Sequence, residues 1–245
     1  MSAATPCGEV GKLIGLSDVR AGVASKKSLL RAAAGRFRRR FLAVIAGARF
    51  TTGAGSIALT YDDGPHPIFT PLLLDVLRDG GARATFFVVG VKAQRHPEIV
   101  RRIVEEGHSL GSHSMNHLDF RGARVAAASR DIDEGRRKLE EIVGRPVSLF
   151  RPPHGHLTLQ TAALLRYKGC KTWLWDTDSY DWKSDLTPDE IRAQAALAKP
   201  GGVILMHDDR QRTLEATALL TAQFAKEGIR LAPLRGWGGV RRRFG

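Results

Sequence analysis

Two adjacent carboxylates, Asp62 and Asp63, sit in the run Thr60-Tyr61-Asp62-Asp63-Gly64-Pro65. They follow a short apolar stretch, Ile57-Ala58-Leu59, of the kind that forms a buried strand. Like charges side by side repel, and a carboxylate leaves water at high cost unless a cation meets it. The pattern therefore asks for a cationic partner elsewhere in the chain. His113 and His117 stand four residues apart. On a helical turn that spacing puts both imidazoles on one face, where they can share a metal ion. With an aspartate from another strand end they make a two-histidine, one-carboxylate set, which leaves positions open for water and substrate. Successive residues of an extended segment point to different sides. One carboxylate of the Asp62-Asp63 pair can thus bind the metal while the other stays free as a base.

The elements that must position these groups follow from the pattern beyond Ser56. Short apolar runs at 57–61, 84–89, 109–112, 149–151, 171–175, 203–207 and 229–231 fit strands buried on both faces. Between them, 71–78, 97–106, 125–143, 159–168, 188–198 and 212–226 read as helices. In the third of these, Val125, Ala128, Ile132, Leu139 and Ile142 share one face. Thr187 before Pro188 is a helix start, with Thr as N-cap and Pro in the first turn. Repeated strand–helix units predict a mostly parallel sheet, whose sites lie at the carboxyl ends of its strands. The unusual polar residues stand there: Asp62-Asp63, His113 to His117, Arg151 to Gly155, the run 175–182, and His207-Asp208.

These stretches carry a resemblance. TYDDGP at 60–65, HSMNH at 113–117, RPPHG at 151–155, DTDSYDW at 176–182 and LMH at 205–207 are similar, in order, to the five motifs of the polysaccharide deacetylase family, the NodB-homology domain of carbohydrate esterase family 4. The likeness covers about residues 56–233. It implies an α/β fold, a distorted (β/α)7-type barrel of parallel strands. It also implies metal-dependent removal of N-acetyl groups from GlcNAc- or MurNAc-type saccharides, such as chitooligosaccharide or peptidoglycan. The metal implied is a divalent cation, Zn2+ first, with Co2+, Ni2+ or Mn2+ as alternatives.

By the same resemblance Asp62 is the general base, and Asp63, His113 and His117 are the metal ligands. His207 is the general acid. Arg151 orients Asp62, and Asp181, with Asp178 as second choice, holds His207 protonated. The backbone N–H of His154 faces the oxyanion, and Trp182 and Leu205 line the acetyl pocket. The family usually has Tyr or Phe where this chain has His154, which bears on sugar preference. The chemistry agrees on its own terms. Amide hydrolysis needs an activated water, a stabilised oxyanion and a proton for the leaving amine, and an aspartate with a histidine can move both protons. O-deacetylation of an acetylxylan-type polymer and an inactive carbohydrate-binding homologue are the alternative readings. Outside this set, Asp208 and Asp209 read as turn-formers, His156 as a solvated loop group and Trp175 as core.

Bulk properties bound the rest. At 245 residues, with 43% hydrophobic and 26% charged side chains, the chain has the composition of a soluble globular protein. No apolar run approaches the ~20 residues of a membrane-spanning helix. Cys7 and Cys170 give no disulfide framework and no zinc-ligand spacing. The net charge of +13 gathers at the chain ends, and no nucleic-acid motif accompanies it, so no specific nucleic-acid partner is expected. We divide the chain into a basic N-terminal segment (1–50), helical or partly disordered, a deacetylase domain (51–238) and a basic tail (239–245). A basic amphipathic helix fits 29–48 and offers peripheral contact with anionic lipid. Arg38-Arg39-Arg40-Phe41-Leu42 resembles a twin-arginine export signal, and Ala46-Gly47-Ala48 a cleavage site, but the apolar stretch is at the short limit for a leader. The expectation is a monomer acting on an N-acetylated saccharide in the cytoplasm or at the membrane surface.

Overall fold

The computed structural model describes residues 40–53 and 55–235. The twin-arginine run up to Arg39, the expected helix before residue 40 and the basic tail lie outside these residues. Residues 40–45 are helical. Leu42, Ala43 and Ala46 of this stretch are buried in one apolar cluster with Phe120, Ile132 and Phe150. Residues 42–46 thus pack as part of the domain expected to begin at 51, and Ala46 of the expected cleavage site is covered.

Among the described residues, seven strands build one sheet: β1 (Ala58–Asp62), β2 (Thr85–Val88), β3 (Ser109–Ser112), β4 (Leu149–Phe150), β5 (Lys171–Thr172), β6 (Thr177–Asp178) and β7 (Val203–His207). Every pairing is parallel, in the order β5-β4-β3-β2-β1-β7-β6. Among the described residues, the helices beyond β1 are α1 (Phe69–Asp79), α2 (Gly90–Arg95), α3 (Pro97–Glu105), α4 (Val125–Val143), α5 (Leu159–Tyr167), α6 (Pro188–Ala195) and α7 (Gln211–Lys226). The sequence periodicity gives α4 its observed bounds, and Thr187 caps α6 in a reciprocal pair with Glu190. Strands β1 and β7 are buried almost throughout because helices cover one side and the sheet's own interior the other.

The sheet curls into a half-barrel. Arg151, directly after β4, hydrogen-bonds Asp62 and Thr60 of β1, three strands away. Across a flat sheet three strand spacings are ~14 Å, beyond the reach of one side chain, so the curl is what brings the two together.

Of the expected fifth strand, 171–175, only the first two residues form a strand, and a second edge strand follows beyond it. β5 ends at Thr172, and the chain re-enters the sheet at its opposite edge as β6. Between them the carbonyls of Trp173 and Leu174 accept from the Arg151 guanidinium. The gap is crossed by the segment ahead of β1: Arg49 bridges Trp173 and Thr51 bridges Gly202. The expected last strand, 229–231, makes one bridge, Leu231 to Ile57, before Pro233 ends any ladder.

Candidate active site

Asp62 and His207 end β1 and β7 and are register partners. Thr60 and Leu205, two residues back, are likewise paired, so all four side chains point into the same interior. Asp62 is buried, and its Oδ1 accepts from Arg151 Nη1 at 2.8 Å. The same Nη1 lies 2.8 Å from Thr60 Oγ1, and the guanidinium lies 4.2 Å from the centre of the Phe87 ring. Arg151 is wholly buried: desolvation pulls its pKa down and the Asp62 charge opposes that. Asp62 keeps Oδ2 for the interior, 3.8 Å from His113 Nε2.

Asp63 turns away from its neighbour because its backbone is left-handed, φ 73°. Its Oδ1 stands 3.1 Å from His117 Nε2 and 3.4 Å from His113 Nε2, and among the described residues no donor satisfies this buried oxygen in hydrogen-bond geometry. His113 Nδ1 lies 2.8 Å from the Arg151 carbonyl. A carbonyl only accepts, so Nδ1 carries the hydrogen, and in the neutral ring Nε2 presents a lone pair. Burial alone would raise the Asp63 carboxyl, but the two imidazoles hold it far below the usual carboxylate range. For His113, burial acts to lower the pKa and the charges of Asp62 and Asp63 carry it up. The three donor atoms lie within 4.8 Å of one another. An orphaned carboxylate oxygen facing two imidazole nitrogens is a donor set that fits a divalent cation.

The loop bearing the histidines differs from expectation. Residues 113–117 form no helical turn; Ser114 and His117 are left-handed, at φ 67° and 57°. Helix α4 holds this loop. Asp131 accepts Met115 N on its carbonyl at 2.9 Å, and Asn116 N and Nδ2 on its carboxylate at 2.9 and 2.7 Å. Gly135 gives the loop room, since a Cβ there would sit 2.4 Å from the Ser114 carbonyl carbon.

On the other side, His207 Nδ1 lies 2.8 Å from Asp181 Oδ1, and His207 N donates to Asp181 Oδ2 at 2.7 Å. Thr213 Oγ1 also donates to Oδ2, at 2.8 Å. Burial would depress the His207 pKa, but the bond to Asp181 and its charge push it up to about 9. Asp178 does not take this place. Its carboxylate accepts from Tyr180 N at 2.9 Å, and burial raises its pKa.

One cavity of about 450 Å³ unites the site. Asp62, Asp63, His113, His117, His154, Trp182, Leu205 and His207 all line it, while Arg151 and Asp181 stand behind. His154 is left-handed at φ 56° in the turn Pro153–Gly155, with its ring edge-on to His117, centroids 4.6 Å apart. Burial, with His117 and His156 nearby, lowers its pKa.

Sequence reasoning passed over His156, Trp175 and Arg210, which share the wall. Position was the available signal: each lies within three residues of a motif or inside one run of strand-end residues. Asp208 stands in the bend after β7, as a turn-former would, but it is not solvated. It is buried, accepts from Thr70 Oγ1 at 2.6 Å, and is pushed up to about 7, burial first and the charges of Asp209 and Asp63 after it. Gly64 packs so closely on it that a Cβ would fall 2.0 Å from its Oδ2.

Asp62 and His207 on paired strand ends, facing one cavity beside a carboxylate–imidazole cluster, give a parallel α/β half-barrel the groups that a hydrolytic enzyme needs. Residues 49–173 match the model of the polysaccharide deacetylase family. A peptidoglycan-N-acetylglucosamine deacetylase of Bacillus cereus is 37% identical over 179 residues, covering 71% of this chain and 84% of that one. A chitooligosaccharide deacetylase of Azorhizobium caulinodans is 32% identical over 202 residues, 76% of this chain and 96% of its own. Among solved structures, a family 4 carbohydrate esterase from Streptomyces lividans, in complex with acetate, superposes with a TM-score of 0.70. It is 31% identical, over 74% of this chain and 93% of that one. The chain belongs to the polysaccharide deacetylase family.

Proposed function

We propose that this enzyme hydrolyses the N-acetyl groups of GlcNAc- or MurNAc-type saccharides. The observation that carries the reading is the pairing of Asp62 with His207, each backed by its own buried counter-ion, in one cavity with the Asp63–His113–His117 cluster. The family names of the relatives, peptidoglycan and chitooligosaccharide deacetylases, support the substrate class.

A divalent cation held by Asp63, His113 and His117 would supply Lewis acidity, lowering the pKa of a water and polarising the acyl oxygen. The chain's own groups do the rest. Asp62, its Oδ1 occupied by Arg151, takes the water's proton on Oδ2. The oxygen so freed forms a bond to the acyl carbon, and the carbonyl electrons move onto oxygen, where the His154 backbone N–H donates to the developing charge. His207 enters this step protonated, because Asp181 holds its Nδ1. Its Nε2–H passes to the leaving nitrogen as the C–N bond breaks, yielding acetate and the free amine. Leu205, buried two residues before His207, and Trp182 supply an apolar wall for the methyl group.

Zinc is the metal proposed. Acetate release from N-acetyl chitooligosaccharide, peptidoglycan and acetylxylan, each with Zn2+, Co2+, Ni2+ or Mn2+, tests the reading. Release from the N-acetyl substrates is expected. Release from acetylxylan alone would replace amide hydrolysis with ester hydrolysis, and saccharide binding without any release would leave a binding protein.

A further inference from the structure

The three candidate ligands come from two loops that are far apart in sequence, and one short element touches both. Val89, at the end of β2, donates its N–H to Gly64 O at 2.9 Å, in the loop of Asp63. The next two N–H groups, of Gly90 and Val91, donate to Ser114 O and Met115 O, each at 2.9 Å, in the loop of His113 and His117. One residue further on, the half-buried Lys92 sends its Nζ back to the Asp63 carbonyl at 2.7 Å. Four consecutive residues therefore hold both loops. Gly90 is small because the loop lies on it: a Cβ would be 2.4 Å from Met115 Sδ and 3.0 Å from Met115 Cα.

Both loops need such a restraint. Asp63 and Ser114 are left-handed, a conformation that a residue with a Cβ adopts only when its surroundings hold it there. The Asp63 carbonyl is the backbone group next to the strained φ, and the Lys92 ammonium is its side-chain partner. A hydrogen bond from a charged donor is stronger than one between neutral groups. Lys92 also stands on α2, which packs against α4, the helix that grips the histidine loop from its other side.

We propose that the junction 89–92 sets the spacing between the carboxylate and the two imidazoles, and that Lys92 is a positioning residue for the metal centre. This rests on the reading that Asp63, His113 and His117 hold a divalent cation. The inference has a sign that electrostatics alone cannot give. An ammonium near a cation repels it, so removing Lys92 would tighten metal binding if charge were its only influence. If Lys92 holds Asp63 in place, removing it loosens the site and weakens metal binding instead.

The test is the affinity of the full chain for Zn2+, measured by competition with a chromophoric chelator, alongside the melting temperature of the metal-free protein. Lys92→Met is expected to bind Zn2+ about tenfold more weakly, the equivalent of one charge-assisted hydrogen bond. Lys92→Arg restores most of that, and Arg95→Met, an exposed cation on the same helix, matches the wild type. Unchanged or tighter binding in Lys92→Met overturns the proposal, as does equal weakening in Arg95→Met. Should Lys92→Met not fold, Gly90→Ala decides: weaker binding supports the clamp and wild-type affinity overturns it. A wild type that binds no Zn2+ would instead strike the metal reading itself, and the ratio between variant and wild type is independent of whether acetate is released.

Discussion

Asp62 and His207 are neighbours across one rung of a parallel ladder, and the residue that serves each lies on the side away from the other. Arg151, from beyond β4, meets Asp62 at 2.8 Å, and Asp181, from beyond β6, meets His207 at 2.8 Å. The separation of Asp62 and His207 is therefore a property of the sheet, ~4.8 Å from strand to strand. Their hydrogen-bond partners come from its flanks.

The acid limb of this arrangement gives a pH prediction. The proposed acid role needs His207 protonated, and, against the effect of burial, Asp181 pushes its pKa up to about 9. Activity should hold through neutral pH and fall as the pH rises through about 9. In Asp181→Asn the bond and charge that raise the pKa are gone, so the alkaline limb of the kcat/KM profile should move down by a unit or more. The stability sign follows the same shift. With the folded pKa above the ordinary 6.5, the pair's contribution to folding is complete below pH 6.5 and is lost as the pH rises through about 9. Melting temperatures on either side of that window check it, and a profile unmoved in Asp181→Asn would remove Asp181 from the role.

Asp62→Asn should separate catalysis from metal binding. Turnover is expected to drop by about 10²–10⁴ with loss of the base, while bound metal, measured by elemental analysis, stays at the wild-type level. The same change leaves the wholly buried Arg151 without its counter-ion, a loss of about 3–5 kcal/mol that urea denaturation would show. Full activity in this variant would exclude Asp62 as the base.

Gly135→Ala inverts a helix rule. In a helix interior alanine is about 1 kcal/mol better than glycine. Here the added Cβ would lie 2.4 Å from the Ser114 carbonyl carbon and 2.6 Å from Met115 N, both backbone atoms. Destabilisation of about 1–3 kcal/mol is expected, read from denaturant midpoints, together with weaker metal binding. A stabilised variant would mean that α4 does not brace the loop.

Metal removal should cost stability as well as activity. A ligand at a hundredfold excess over its Kd stabilises the native state by about 2.7 kcal/mol, so a chelator should lower the melting temperature by that equivalent. His113→Ala should melt at one temperature with or without metal. His207→Ala, outside the ligand set, should keep the metal-dependent shift and lose turnover.

Much of this was legible in the sequence because it depends on local pattern. Apolar runs placed β1, β3 and β7, and with them Asp62, His113 and His207 at strand ends. The face of α4 was readable from Ala128 to Leu139, though Val125 at its start is exposed, and the Thr187 cap was equally readable. What stayed hidden depends on partners distant in sequence. β6 is two residues long and is a strand only because β7 lies beside it. α2 is six residues between a glycine and a proline, too short for a periodicity. The choice between Asp178 and Asp181 depended on a loop with Tyr180 left-handed at φ 56°, which spacing does not encode. The His113–His117 loop was misread for the same reason, since an i, i+4 spacing also fits a loop with two left-handed residues. Lys92 and Asp208 gave no motif signal, because their work is done on backbone and hydroxyl groups of other segments.

Arg151 has a consequence for how the enzyme fails. Its guanidinium joins β1 to the carbonyls of Trp173 and Leu174, in the stretch where the half-barrel leaves off between its two edges. The contact that fixes Asp62, the proposed base, is thus also the contact that closes the chain on itself. Catalytic competence and tertiary closure then rise and fall in a single event: no population should exist that is folded but unprimed. In graded denaturant, residual turnover and the emission of Trp173 and Trp175 should trace the same curve.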